Sequence, residues 1–182
     1  MLAIISPSKT QDFSQCDIDI FSQTRQIESS NELIGILKNK SKSQIAKLMS
    51  ISEKLSELNF DRFQNFHLPF TLKNAKQAIL AFKGDVYYGI NAPELSHEDL
   101  EFAQGKVRML SGLYGVIRPL DLIQPYRLEM GTKLSNEKGS DLYDYWGSDI
   151  SSILNEDESD LIVNLAYNEY SNCLLYTYPS PR

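Results

Sequence analysis

The chain has 182 residues and a mass of 20.7 kDa, with 42% hydrophobic and 10% aromatic residues, enough for one folded domain and too apolar for a disordered chain. Eighteen Lys and Arg against twenty-four Asp and Glu give a net charge of −6, which excludes a globally basic nucleic-acid coat and leaves local clustering as the only source of a phosphate-binding surface. The two cysteines, Cys16 and Cys173, make neither a disulfide framework nor a metal knuckle and point to a reducing, cytoplasmic setting. No apolar run reaches the ~20 residues that a membrane span needs.

In chain order, Leu2 to Ile5 reads as a short buried strand stopped by the turn residues Ser6-Pro7-Ser8. A polar stretch without clear period follows to about Ser30. From Asn31 to Phe66 the period becomes helical, with Leu33, Ile36 and Leu37 on one face, then Ile45, Leu48 and Met49, then Leu55, Leu58, Phe63 and Phe66. Capping-box patterns at Ser41-Lys42-Ser43-Gln44 and Ser50-Ile51-Ser52-Glu53 divide this run into two or three short helices. Ala78 to Phe82 is a compact apolar run that predicts a second buried strand. Ser96 and Asp99 cap a helix to about Gln104, ended by Gly105, and Val107 to Leu110 is a third strand closed by Gly112 and Gly115. Arg118 to Gly131, with Pro119 and Pro125, reads as irregular. Asp141 to Leu154 is helix-like, and Leu161 to Leu165 is a fourth strand leading into Tyr167-Asn168-Glu169-Tyr170. No internal repeat is visible. Strands interleaved with helices predict an α/β sheet covered by helices.

Polar motifs follow three of these strands: Ser6-Pro7-Ser8-Lys9-Thr10, Ser111-Gly112-Leu113-Tyr114-Gly115, and Asn164 with Tyr167 to Tyr170. Parallel α/β sheets bind ligands outside the carboxyl ends of their strands, so parallel neighbours would bring the three loops to one rim. The candidate pocket is then Ser6, Ser8, Lys9, Thr10, Tyr114, Glu129, Asn168 and Glu169. The first loop is either a plain turn or a phosphate cradle of hydroxyls and one Lys, without the glycines of a P-loop. The second is either a turn with left-handed glycines or a close approach for a nucleic-acid backbone, with Tyr114 as a stacking face.

Between Gly105 and Lys133, Lys106, Arg108, Arg118, Arg127 and Lys133 outnumber Asp121 and Glu129 by three charges. That suits a phosphate-facing surface; the other reading is ordinary surface charge, with Arg127 paired internally to Glu129. His67 and His97, the only histidines, lack ligand spacing, and no Cys-x-x-Cys is present, which disfavours a Ser/His/Asp triad, a zinc site and thiol redox chemistry. No catalytic residue, metal or cofactor is assigned.

These blocks resemble the YaaA family of bacterial peroxide-stress proteins from Met1 to about Ser171. The resemblance is carried by Ile5 to Thr10, by Gln77 to Tyr87, and above all by Arg108 to Leu122, continuing through Gln124 to Gly131. It implies a cytosolic protein that limits peroxide damage caused by free iron. It also implies a single mixed α/β domain with a positively charged cleft and a helix-hairpin-helix-like element that binds double-stranded DNA. With the basic residues and the 111–115 loop read above, the candidate DNA-binding residues are Lys9, Arg108, Ser111, Gly112, Tyr114, Gly115, Arg118 and Arg127. The resemblance leaves enzymatic activity open. The alternative reading is a nucleotide- or nucleobase-processing enzyme using the loops 6–10, 111–115 and 164–170, and an iron-binding protein is disfavoured by the few His and Cys ligands. Two positions depart from the family pattern: Gln11 replaces an apolar residue, and Tyr167 a small Ser. Residues 1–172 are expected to form the domain, incomplete at its C-terminus. The stretch 173–182 reads as a non-native tail, so the chain is expected to aggregate and to bind DNA weakly.

Overall fold

In the computed structural model, which describes residues 1–157 and 159–174, the apolar run Leu2–Ile5 forms strand β1. A two-residue strand, β2 (Thr10–Gln11), follows, and then three helices: α1 (Ile27–Lys38), α2 (Lys42–Met49) and α3 (Glu53–Asn65). Leu33 and Leu37 of α1, Ile45 of α2 and Phe63 of α3 are fully buried, so the helical period is core-facing in α1 and α2, but in α3 Leu55 and Leu58 are exposed and the buried face carries Ser56, Asn59 and Phe63. Ser41 caps α2 reciprocally, its Oγ accepting from the Gln44 N–H while the Gln44 side chain accepts from the Ser41 N–H. The second capping pattern works differently. Ser52, not Ser50, caps α3, while Ser50 at φ 52° ends α2 in a left-handed conformation.

Ala78–Ala81 is a single helical turn, α4, set between the two-residue strands β3 (Lys76–Gln77) and β4 (Phe82–Lys83), and is not the strand that its apolar run predicts. Five consecutive apolar residues fit either state by period alone. Here long-range bonds decide: Ala78 N donates to the Asp121 carbonyl and Ile79 N to that of Pro119. Next come α5 (Asp85–Ile90) and α6 (His97–Lys106), the latter with the Ser96–Asp99 capping box in place. Gly105 lies inside its last turn, and α6 runs directly into β5 (Val107–Ser111). The short strands β6 (Gly115–Ile117) and β7 (Leu122–Ile123) follow. The helix-like stretch near 141–154 is two helices, α7 (Leu142–Trp146) and α8 (Asp149–Glu156), broken at Gly147. The last described elements are β8 (Ile162–Asn164), α9 (Asn168–Ser171) and a 3₁₀ turn, Asn172–Leu174.

The main sheet has the order β6-β5-β1-β8, with β1 parallel to both neighbours and β6 antiparallel to β5. Two small antiparallel pairs, β2–β4 and β3–β7, flank it. Helix α6 packs on β1 and β5, and α8 on β6, giving one mixed α/β domain. Cys173 and Leu174 are buried in the same core, so the expected boundary at residue 172 falls inside a packed turn. The rest of the expected tail, 175–182, lies outside the described residues.

The loop Ser111–Gly115 is the turn of the β5–β6 hairpin, with strands on both sides in place of the helices of a helix-hairpin-helix element. Gly115 has φ 68°, and a Cβ there would run into the Gln26 side-chain carbonyl, which accepts from Val116 N at 2.9 Å. A Cβ on Gly112 would meet the Leu128 carbonyl, and the Gly112 carbonyl accepts from Trp146 Nε1 at 3.0 Å. Both glycines are required by close packing in the core. Gly115→Ala is expected to destabilise the fold by about 2–3 kcal/mol in urea melts. Gly35→Ala, on an open face of α1 with nothing within 4 Å, should instead stabilise it by about 0.5–1 kcal/mol.

A strand-end cleft as candidate functional site

Because β1 and β8 run parallel, their exits lie side by side. Ser6, the first residue after β1, is buried; its Oγ accepts from Tyr167 N and its carbonyl accepts from Tyr87 Oη, both at 2.8 Å. One residue thereby ties together the β1 exit, the β8 exit and α5. Ser8 Oγ accepts from Thr10 N at 3.1 Å, and Lys9 leaves the same turn with its side chain 58% exposed. Lys9 Nζ lies 2.9 Å from Glu129 Oε2, while Glu129 Oε1 accepts from Arg127 Nη2, also at 2.9 Å. Glu169 Oε1 accepts from Gly131 N at 2.9 Å, and Tyr143 Oη donates to the Glu169 carbonyl at 2.6 Å.

These groups border a cleft of about 380 Å³ whose walls include Ser6, Ser8, Lys9, Lys83, Tyr87 and Glu169. A smaller cavity of about 190 Å³, between Ser50 and Thr132, shares Glu169 with it and adds Arg127 and Glu129. Burial pushes the Tyr87 and Tyr170 phenols well above their ordinary value, so both stay protonated at neutral pH. A further cavity of about 380 Å³, lined by Cys16, Lys76 and Gln77, contains none of the strand-end residues. Among the described residues no three His, Cys, Asp or Glu side chains are placed to hold a metal ion together, and no helix is long and apolar enough to cross a membrane.

A protein-family model described as peroxide stress protein YaaA matches residues 1–177. The chain belongs to the YaaA family. Gln11 Oε1 accepts from Tyr126 N at 3.1 Å, and the Tyr167 side chain stands exposed at the cleft while its backbone N–H, which does not depend on the side chain, donates to Ser6 Oγ.

Of the predicted pocket, Ser6, Ser8, Lys9 and Glu169 meet around the cleft, and Glu129 pairs with Lys9 at its edge. Thr10 and Asn168 are exposed beside it but do not line it. Tyr114 is fully buried, its Oη accepting from Gln124 N at 3.0 Å and donating to the Gln124 carbonyl at 3.3 Å. Its ring packs edge-on against Tyr126 at 5.1 Å between centroids, so no face is open for a base. Ser111 is also buried, accepting from Leu113 N and Tyr114 N and sharing a 2.7 Å hydrogen bond with Tyr126 Oη. Lys83, Asp85 and Tyr87 also line the cleft and lie outside the predicted pocket; they follow no strand exit of the main sheet, and the α5 packing brings them to the rim.

The basic stretch of the YaaA block is largely spent on ion pairs. Arg108 is buried, with Nε 2.6 Å from Asp157 Oδ2 and Nη1 on the carbonyls of Gln104 and Val107. Arg25 grips the same carboxylate at 3.0 Å. Arg118 Nη2 lies 2.8 Å from Oδ1 of the fully buried Asp121. A guanidinium this far from water needs an anionic partner, and the local charge count missed Asp157 because it comes from a distant segment. Burial therefore leaves Arg108, Ser111, Gly112, Tyr114 and Gly115 no surface to offer DNA, and Arg118, though a quarter exposed, has its guanidinium engaged by Asp121 and the Gln23 carbonyl; Lys9 and Arg127 stay reachable.

Tyr114→Phe leaves the Gln124 N–H without its acceptor and should destabilise the fold by about 1–3 kcal/mol while leaving the cleft intact. The Asp157 cluster makes a pH-dependent contribution. Burial opposes ionisation of Asp157, but hydrogen bonds from Arg108 and Arg25 outweigh it and hold the carboxyl below its ordinary 3.8. A depressed folded pKa means stability fully present above the unfolded value and lost as the pH falls through the folded one. Asp157→Asn should cost about 3 kcal/mol at pH 7 and flatten the loss of stability on acidification below about pH 4, read from urea titrations.

Proposed function

We propose that this protein serves the peroxide response in the cytoplasm by binding double-stranded DNA at the strand-end cleft and so limiting iron-dependent damage. One observation carries the reading: Lys9 and Arg127 converge on a single anionic group, each at 2.9 Å, beside Ser8, while Lys83, 3.7 Å from Asp12, lines the same cleft as Lys9. That donor set is what a phosphodiester requires. Membership of the YaaA family supplies the link to peroxide. Iron held on DNA phosphates generates radicals where it sits, and occupied phosphates are denied to it. A second reading, a nucleotide- or nucleobase-processing enzyme at the same cleft, is favoured by the cleft volume of about 380 Å³, within the ordinary range for small-molecule sites. Nucleoside monophosphates that bind in preference to duplex would select it.

With Arg108 and Arg118 committed to buried carboxylates, two or three cations remain for phosphates. The log–log salt dependence of duplex binding is then expected to be shallow, about −2 to −3. Lys9→Ala and Arg127→Ala should each flatten it by about one unit, and Arg118→Ala should leave it unchanged. Parental slope and affinity in both the Lys9 and Arg127 variants would overturn the reading. Protection is read directly as reduced plasmid nicking by ferrous iron and peroxide in the presence of the protein.

A further inference from the structure

We infer that the Glu129 carboxylate occupies an anion subsite between Lys9 and Arg127, and that an incoming phosphate group displaces it and joins the two neighbouring cavities into one groove. The inference rests on the phosphate-binding reading of the cleft and adds how access to it is controlled.

Glu129 uses its two oxygens on two different cations, Oε2 toward Lys9 and Oε1 toward Arg127, each at 2.9 Å. A carboxylate held this way stands where a phosphate would bridge the same pair. Arg127 has donor capacity to spare, since its buried Nε has no acceptor among the described residues. A tetrahedral phosphate carries more oxygens than a carboxylate and so can bridge Lys9 and Nη2 with oxygens to spare. The surroundings hold further positive charge. Burial and the neighbouring Arg127 lower the pKa of the Arg62 guanidinium, which places a second arginine within electrostatic reach of the subsite.

The ion pair also stands at a constriction. Lys9 lines the larger cleft of about 380 Å³ and Glu129 the smaller cavity of about 190 Å³. Between them lies a gap of only about 10 Å³ bordered by Lys9, Arg127, Glu129 and Tyr170. With the Lys9 and Glu129 side chains 58% and 25% exposed, the pair is weakly held and open to competition from a stronger anion. Glu169, the other carboxylate here, accepts from the Gly131 N–H and touches neither cation.

The test titrates inorganic phosphate, and separately a short DNA duplex, into the parent chain, Glu129→Gln and Lys9→Met/Glu129→Gln, by calorimetry. Glu129→Gln keeps the side-chain shape and removes the competing charge, so it should bind inorganic phosphate at least tenfold more tightly than the parent. Adding Lys9→Met should abolish the gain. A Glu129→Gln protein that binds phosphate no more tightly overturns the inference. If that variant melts below the assay temperature, Glu129→Asp, which retracts the carboxylate by one methylene, should gain at least threefold, and no gain there overturns it equally. Phosphate gain without duplex binding by any variant would sink the DNA reading and leave the subsite standing. Duplex binding without phosphate gain would do the reverse.

Discussion

Strand β1 sits between β5 and β8, parallel to both, and the whole molecule is arranged around that placement. Its register is set twice, with Ile4 opposite Arg108 on one side and Asn164 on the other. A slip of one residue would turn the buried Leu2 and Ile4 to the opposite face of the sheet and break both ladders at once. Parallel neighbours also force the exits of β1 and β8 to the same edge. Ser6 then locks that edge, since one residue accepts from both Tyr167 N and Tyr87 Oη. One wall of the cleft follows from the sheet topology, and the packing of α5 through Tyr87 supplies the other.

The hairpin beside it shows how the same edge is closed on the other side. β5 turns back at once into β6, and the turn is filled by Gln26, Trp146 and the Leu128 backbone. Ser111, Tyr114, Gln124 and Tyr126 satisfy one another's polar groups in the interior. A conspicuous glycine-rich motif is therefore spent on building a wall. Behind it, Tyr126 borders the gap where Lys9, Glu129 and Arg127 meet, so the buried network positions the working surface without belonging to it.

Charge is used in a similarly local way. Arg108 answers Asp157 from a distant segment, whereas Arg118 answers Asp121 only three residues on, and that local pair reaches the distant segment through Ser22 and Gln23. Lys9 and Arg127 share a partly exposed acid instead. Four basic residues that look alike in sequence thus divide into two pairs, one committed to the fold and one available to a ligand.

Much of this was legible in the amino-acid order. Leu2–Ile5, the helices between 27 and 65, the Ser41 and Ser96 caps and the strands at 107 and 162 follow from period, capping and turn chemistry, which act over a few residues. The convergence of the Ser6–Lys9 and Glu169 segments on one edge was legible because both follow strands that run parallel. The reading failed where partners come from afar. Ala78–Phe82 is apolar enough for either state, and the hydrogen bonds to Pro119 and Asp121 made it a helical turn. Tyr114 and Arg108 look like surface readers of nucleic acid until Gln124 and Asp157 arrive from elsewhere in the chain. The sequence by itself determined most of the local elements, the family and the short-range pair Arg127–Glu129; burial and the long-range pairing of Arg108 with Asp157 were decided only by the tertiary structure, because each needs a second segment that no local pattern records.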